Sequence, residues 1–228
     1  MHKQRKFLAI IPARGGSKRL PRKNVLNLNF KPLIAYSIEA GIGSKYVDDL
    51  VVSSDNEEIL NISKALGADT IVRPNYLASD TATTFDAIRH ALENISGYDY
   101  IVLLQPTSPL RTSKHIDEAI ELLDEKNADA IVSVSEMEHS PLWANILPQD
   151  KSLTDFLKDE IRGKRSQDLE KYFRVNGAIY ICKIDKFLEE KTLFIQENIF
   201  AYEMSRNHSV DIDEEIDFKL AEVMMTQS

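Results

Sequence analysis

The sequence predicts an α/β fold, built on a mainly parallel, twisted sheet with helices on both faces. Short apolar segments rich in β-branched residues alternate with segments whose apolar residues recur at helical spacing. The strand candidates are continuously apolar, as strands buried on both faces should be. The chain has 228 residues, a length that suits one domain with a full core.

The first two thirds of the chain alternate between strand and helix patterns. Residues 7–11 form an apolar strand, and Pro32 opens a helix that runs to about Ile42. A second helix starts at Asn56 and ends at Gly67, where a left-handed backbone is favoured. The other predicted strands span 50–53, 70–72, 100–104 and 130–134, and helical stripes cover 85–95 and 116–123.

The alternation stops near Ser135. Residues 136–172 mix prolines, charges and Trp143, which predicts a long excursion within a single domain of residues 1–228. Such an excursion could pack on a partner chain. Regular patterns then resume, with strands at 177–182 and 199–202 and a closing helix at 214–225 that carries Ile216, Leu220 and Val223 on one face.

The composition excludes several classes of protein. With 36 acidic and 28 basic residues the formal net charge is −8, so no broad basic surface is available for nucleic acid. The apolar fraction of 43% argues against a disordered chain, and no apolar stretch is long enough to cross a membrane. Cys182 is the single cysteine, so no intramolecular disulfide can form, and we expect a reducing compartment, the cytoplasm.

The loop after the first strand, residues 13–24, is the first candidate site. Ligands collect at the carboxyl ends of strands in open α/β sheets. Adjacent Gly15 and Gly16 would let backbone amides approach a bulky anion. Triphosphate binding needs such amides together with positive charge, although a solvated basic loop is the plain alternative. The loop also holds five cations within ten residues: Arg14, Lys18, Arg19, Arg22 and Lys23.

Two common phosphate-binding motifs do not fit this loop. The order Gly16-Ser17-Lys18 differs from the Gly-Lys-Ser/Thr of the P-loop. A third glycine with the spacing of the dinucleotide fingerprint is missing after Gly15-Gly16. The sequence therefore disfavours NAD binding and ordinary ATPase chemistry.

Three further segments carry polar groups. Residues 103–111 hold the polar residues Gln105, Thr107 and Ser108 next to two prolines, in a stiff loop suited to a sugar or base. Asp211 and Asp213 alternate with apolar residues, so their carboxylates would share a side and could bind Mg²⁺, or Asp213 could simply cap the last helix. Arg165 and Arg174 could grip a carboxylate or form surface ion pairs.

Six blocks in chain order strongly resemble the CMP-sialic acid synthetases, or acylneuraminate cytidylyltransferases. The resemblance implies a Rossmann-like nucleotide-binding fold and transfer of CMP from CTP to the anomeric hydroxyl of a nonulosonic acid, with Mg²⁺ as cofactor and release of pyrophosphate. It also implies a homodimer in which the excursion at 136–172 reaches the partner. The blocks are 10–24, Arg73-Pro74, 78–82, 104–111, 176–180 and 211–213.

The resemblance also assigns roles to individual residues. Arg14, Lys18, Lys23, Asp211 and Asp213 would carry catalysis, and the two aspartates would hold Mg²⁺ and help to deprotonate the attacking hydroxyl. The nucleotide would contact Arg14, Gly15, Gly16, Ser17, Lys18, Lys23, Asn24, Arg73 and Thr84. The sugar would contact Gln105, Arg165, Arg174, Tyr180 and Phe194.

Several readings stay open. N-acetylneuraminate is the first candidate sugar, but Leu193-Phe194 stands where relatives often have two aromatics, so legionaminate, pseudaminate or KDO are alternatives. A nucleotide-sugar-dependent glycosyltransferase would share the α/β plan, but it would usually carry its Asp-x-Asp pair after a middle strand. A nucleotide-binding regulator without activity would need neither a metal pair nor a second set of arginines.

Overall fold

A computed structural model describes residues 2–226 and confirms the predicted α/β fold. Its centre is a seven-stranded sheet in the order β5-β4-β1-β6-β8-β7-β9. Six strands run parallel, and β8 is antiparallel to both of its neighbours. The strands are β1 Phe7–Pro12, β2 Asn27–Leu28, β3 Lys31–Pro32, β4 Asp49–Ser54, β5 Asp69–Val72, β6 Tyr100–Leu103, β7 Ala130–Glu136, β8 Phe173–Lys183 and β9 Ile199–Glu203, of which β2 and β3 form a separate two-stranded sheet.

Helices cover both faces of the sheet. Along β1, Phe7 and Ile11 pack into a core with α1, α2 and α4, whereas Leu8 and Ile10 face a core with α3 and α5. This alternation explains why β1 is apolar at every position. The helices are α1 Leu33–Ile42, α2 Glu57–Ala65, α3 Thr84–Asn94, α4 Ser113–Lys126, α5 Ile184–Glu190 and α6 Glu215–Thr226.

The excursion contains no strand or α-helix between residues 137 and 172. Two short 3-10 turns, Pro141–Trp143 and Ser166–Asp168, are its regular structure. Ile146, Leu147 and Leu153 leave 89%, 55% and 65% of their surface exposed. The excursion therefore presents apolar side chains that the described chain does not cover.

The face that α6 buries is different from the one the sequence predicts. Ile216, Leu220 and Val223 are exposed, and Ala221 is the buried residue of the helix. It packs on a small cluster that includes Leu28. A small residue lets α6 lie close to the two-stranded sheet, which periodicity alone could not reveal. Among residues 2–226, no helix is both long and apolar enough to cross a bilayer.

Candidate functional site

The candidate site lies at the carboxyl edge of the parallel strands. Loops that follow β1, β4, β5 and β6 emerge there, because these strands are neighbours and run in the same direction. The segment before α6 reaches the same edge, where the Ile212 amide donates to the Thr107 carbonyl at 2.8 Å. Elements far apart in sequence are thereby brought to one place.

The glycine-rich loop after β1 is held by its neighbours. The Gly15 amide donates to Asp55 Oδ1 at 3.0 Å, and Asn24 Nδ2 donates to the Arg14 carbonyl at 3.0 Å. A Cβ at Gly15 would lie 2.9 Å from the Cβ of Asn56, whereas Gly16 has open space around it. The Gly15 amide therefore already has an acceptor in Asp55, whereas the sequence predicts that amides of this loop approach a bulky anion.

Arg73, the residue after β5, lies near the Asp55 side chain that holds the glycine-rich loop. It is buried, with a guanidinium nitrogen 4.0 Å from Asp55 Oδ1. Burial lowers the pKa of Arg73, and the nearby Asp55 carboxylate opposes that shift. Asp55 thus links the glycine-rich loop to Arg73, a role that sequence reasoning missed because its partners lie far away along the chain.

Several predicted phosphate ligands share one cavity of about 390 Å³ with the late carboxylate. Lys23 Nζ lies 3.3 Å from Asp213 Oδ1, and Arg19 lies 3.1 Å from Asp213 Oδ2. Lys23 also donates to the Ile212 carbonyl. The cavity is lined by Arg14, Ser17, Lys18, Arg19, Leu20, Lys23, Thr107 and Asp213.

Asp80, in the loop after β5, forms ion pairs with two of the cations that line this cavity. Its carboxylate lies 2.6 Å from Lys18 Nζ and 3.4 Å from the Arg14 guanidinium. Both cations lower the pKa of Asp80, Lys18 more strongly. An incoming anion would compete with this carboxylate for the same two side chains.

Asp211 is the more buried member of the carboxylate pair. Burial raises the pKa of Asp211 and Asp213 adds to that shift, whereas Thr107, Lys23 and Arg174 oppose it. Its Oδ1 atom is buried, and no described residue hydrogen-bonds to it. An orphaned carboxylate oxygen beside a second carboxylate fits the donor set for a divalent cation.

The described residues contain no cluster of three or more His, Cys, Asp or Glu side chains arranged for a metal. A pair of carboxylates is what Mg²⁺ commonly takes from protein when substrate oxygens and water complete its shell. Asp213 does not cap α6 with its side chain. Instead, Asp217 Oδ2 accepts hydrogen bonds from the amides of Asp213 and Glu214.

Arg174 is brought to the carboxylate pair. It lines a cavity of about 600 Å³ together with Asp211 and Asp213, and it donates to the Ser209 carbonyl at 3.3 Å. Arg165 is not brought there. It is exposed in the excursion, it pairs with Asp168 at 3.1 Å, and it is absent from the lining of both cavities.

The predicted sugar ligands Gln105, Tyr180 and Phe194 line a third cavity, of about 280 Å³. Tyr180 and Phe194 meet edge to face, with ring centroids 6.0 Å apart. Thr84, which the resemblance assigns to the nucleotide, lies in this cavity and not in the cationic one. Lys191 also lines it and was not anticipated from the sequence.

Gly177, in strand β8, lies close to both Gln105 and Asp211. Its φ is +77°, and a Cβ there would lie 2.6 Å from Gln105 Oε1 and 3.7 Å from Asp211 Oδ2. Gly177 therefore lies between Gln105, which lines the third cavity, and Asp211, which lines the cavity of about 600 Å³, and a side chain at this position would meet Gln105.

The chain matches a known protein family and several known proteins. A family model described as cytidylyltransferase matches residues 8–227. An N-acylneuraminate cytidylyltransferase from Escherichia coli is 39% identical over 95% of this chain, and this chain spans about half (51%) of its length. A pseudaminic acid cytidylyltransferase from Campylobacter jejuni is 35% identical over 96% of both chains.

A structure of CMP:2-keto-3-deoxy-manno-octonic acid synthetase in complex with CTP has the same fold. Its TM-score is 0.74 at 18% identity, and the match covers 97% of this chain and 99% of that one. The matched family and the relatives agree with the resemblance seen in the motifs. The chain therefore belongs to the cytidylyltransferase family.

Proposed function

We propose that this protein transfers CMP from CTP to the anomeric hydroxyl of a nonulosonic acid and releases pyrophosphate. The observation that carries the proposal is the shared cavity in which Arg14, Lys18 and Lys23 face Asp213. A polyphosphate needs the cations, and a metal-assisted transfer needs the carboxylates. The family and its named relatives support the same activity.

The charges explain how the reaction could proceed. The sugar acid and CTP are both anions, so their approach requires screening. Arg14, Lys18 and Lys23 would neutralise the triphosphate, at first in competition with Asp80. The sugar oxygen forms a bond to the α-phosphorus, the bond to the pyrophosphate oxygen breaks, and the hydroxyl proton leaves to a base.

Asp211 and Asp213 are the residues that would hold Mg²⁺. A bound divalent cation would supply charge stabilisation at the phosphate oxygens. Asp211 would also accept the proton of the sugar hydroxyl. The unpartnered Oδ1 of Asp211 supports both roles.

N-acetylneuraminate is the sugar we propose first, supported by the name of the E. coli relative. Gln105, Tyr180 and Phe194 would bind it, and Arg174 would reach its carboxylate. Pseudaminate is the strongest alternative sugar, because the C. jejuni relative matches this chain along nearly its whole length. Legionaminate and KDO are further alternatives.

A glycosyltransferase remains the alternative from another class. The position of the carboxylates argues against it, because Asp211 and Asp213 follow β9 and precede α6, far from the middle strands.

A homodimer and a cytoplasmic location complete the proposal. The exposed Ile146, Leu147 and Leu153 of the excursion would be covered by a second copy. Arg165 lies in the same excursion, away from the described cavities, so it would act on the partner's site. The thiol of Cys182 is buried and unpaired, which is compatible with a reducing compartment.

The activity is tested by incubating the protein with CTP, Mg²⁺ and each nonulosonic acid in turn, and by measuring pyrophosphate and the CMP-sugar. We expect release with one or more sugars, fastest with N-acetylneuraminate. Arg14→Ala should weaken CTP binding, and Asp211→Ala should lower turnover far more than CTP affinity. Absence of product with all of the sugars would remove the proposed activity.

The dimer is tested with Ile146→Asp, with Phe30→Asp as the matched control because Phe30 is also almost fully exposed (97%) but lies outside the excursion. Sedimentation should show a dimer for the wild type and for Phe30→Asp, and a monomer for Ile146→Asp. The monomer should still bind CTP but turn over sugar poorly. A dimer that is unaffected by Ile146→Asp would contradict the assignment of the excursion.

A further inference from the structure

Arg111 is a buried cation for which no carboxylate partner is found among the described residues. It is 2% exposed, and its Nη1 atom is buried without a hydrogen-bond partner among them. Burial lowers the pKa of Arg111 to about 9. A guanidinium held out of water without a counter-charge is costly, so its retention calls for a physical reason.

The hydrogen bonds of Arg111 converge on the backbone beneath Gln105. Its Nη2 donates to the Gln105 carbonyl at 3.1 Å and to Ser37 Oγ at 2.6 Å. Ser37 in turn donates to the same Gln105 carbonyl at 3.1 Å, and the Ser108 amide also donates to it, at 3.3 Å. One carbonyl therefore accepts three hydrogen bonds, one from Arg111 and one from Ser37, whose hydroxyl oxygen itself accepts a hydrogen bond from Arg111.

A further hydrogen bond of Arg111 reaches strand β8. Its Nε donates to the Ala178 carbonyl at 3.0 Å, next to Gly177. Gly177 is the residue at which an added Cβ would lie 2.6 Å from Gln105 Oε1 and 3.7 Å from Asp211 Oδ2. Arg111 thus ties the loop after β6 to strand β8 next to the glycine that lies between Gln105 and Asp211.

We propose that Arg111 is a positioning residue for the sugar, which fixes the Gln105 backbone and the Gly177–Ala178 segment so that the Gln105 side chain is held in place toward the substrate. This inference rests on the proposed function and deepens it. Arg111 lines none of the three cavities described above, so it acts through Gln105 and not by contact. The cations of the triphosphate cavity all lie in the loop after β1, and only Thr107 of its lining belongs to the loop after β6, so CTP binding should depend on Arg111 much less than sugar binding does.

The test compares Arg111→Met, Arg111→Lys and Ser37→Ala with Leu123→Ala, a buried core substitution in α4 that serves as a control for lost stability. For Arg111→Met we expect KM for the sugar acid to rise about ten- to hundredfold, because hydrogen bonds to a charged group are lost. The Kd for CTP should change less than about twofold. Arg111→Lys should recover part of the loss, and Leu123→Ala should leave the sugar KM unchanged.

A double variant separates positioning from general destabilisation. In a Gln105→Ala background, Arg111→Met should add little to the sugar KM, because the side chain that Arg111 positions is already gone. Full additivity, an unchanged sugar KM in Arg111→Met, or equal losses in sugar and CTP affinity would each overturn the inference. If Arg111→Met does not fold, Arg111→Lys and Ser37→Ala carry the same comparison.

Amide hydrogen exchange without substrate keeps the inference separate from the proposed activity. Arg111→Met should speed exchange in residues 104–112 and leave residues 13–26 as they are. If the wild type acts on no sugar acid, the proposed function fails, and unchanged exchange at 104–112 would then show that Arg111 does not order this loop.

Discussion

The carboxyl group of Asp211 illustrates how a single residue can serve function at a cost to stability. Burial raises its pKa, so the folded state disfavours its charged form relative to the unfolded chain. The stability of the folded state therefore declines as the pH rises through the folded pKa of Asp211. Above that pH the protein carries the penalty of an ionised, partly buried carboxylate.

Asp211→Asn should relieve this penalty and abolish the metal site and the base. We expect a higher melting temperature near neutral pH, by about 2–4 °C for each kcal/mol recovered, together with a large loss of turnover. Asp213→Asn is the matched control, because Asp213 pairs with Arg19 and Lys23 and should not gain stability when neutralised. Thermal melts in CTP-free buffer check both, and destabilisation by Asp211→Asn would contradict this account.

Asp80 offers a second prediction at the residue scale. Because its carboxylate occupies Lys18 and Arg14, Asp80→Asn should free both cations for the triphosphate. Exposed ion pairs contribute roughly 0.2–1 kcal/mol, so CTP should bind up to about fivefold more tightly. Titration calorimetry of CTP binding checks this, with Asp159→Asn as a control at an exposed ion pair outside the described cavities. Weaker CTP binding to Asp80→Asn would show that Asp80 assists the nucleotide.

The sequence located the residues whose neighbours lie in the same motif. Arg14, Lys18 and Lys23 fall in one short loop, and the Asp211–Asp213 pair shows its alternation directly. The roles of Asp55 and Arg111 were not visible, because Asp55 meets Gly15 from 40 residues away and Arg111 meets Ala178 from 67 residues away. Such contacts exist only once the sheet has formed.

At the scale of elements, continuous apolar runs predicted the central strands well, since a strand covered on both faces has no polar side. Helix α5 was not predicted, because its seven residues, Ile184–Glu190, are too short to show a clear period. The prediction of which face α6 buries was wrong, because Ala221 is buried while the larger apolar residues of the helix remain exposed. Val72 in the edge strand β5 is likewise apolar but 72% exposed, so an apolar pattern alone did not predict which side chains are buried.

Gly177 in β8 allows an element-scale test with a matched control. Gly177→Ala and Gly97→Ala both force a Cβ onto a backbone with positive φ, +77° and +93°, at a cost of roughly 1–2 kcal/mol each. The Cβ at Gly177 would also meet Gln105 Oε1, whereas Gly97 has nothing within 4 Å.

Both variants should therefore lose similar backbone stability in chemical denaturation, and Gly177→Ala should in addition raise KM for the sugar acid. Equal kinetics for the two variants would indicate that Gln105 and Gly177 do not form part of the sugar site.

At the scale of the whole molecule, the distribution of charge is more informative than its sum. The chain has a net charge of −8, yet it gathers Arg14, Lys18, Arg19 and Lys23 in one cavity at the carboxyl edge of the sheet. Parallel strands bring the loops to this edge, and the segment before α6 adds the carboxylates. Cations and carboxylates thus occur side by side, as the nucleotidyl transfer that we propose requires.

The most direct test is a crystal structure with CTP and Mn²⁺, which replaces Mg²⁺ and can be located by its anomalous scattering. We expect the triphosphate against Arg14, Lys18 and Lys23, and the metal ion between the carboxylates of Asp211 and Asp213 and a phosphate oxygen. A triphosphate bound away from the loop after β1, or a metal ion that ignores both aspartates, would contradict the account.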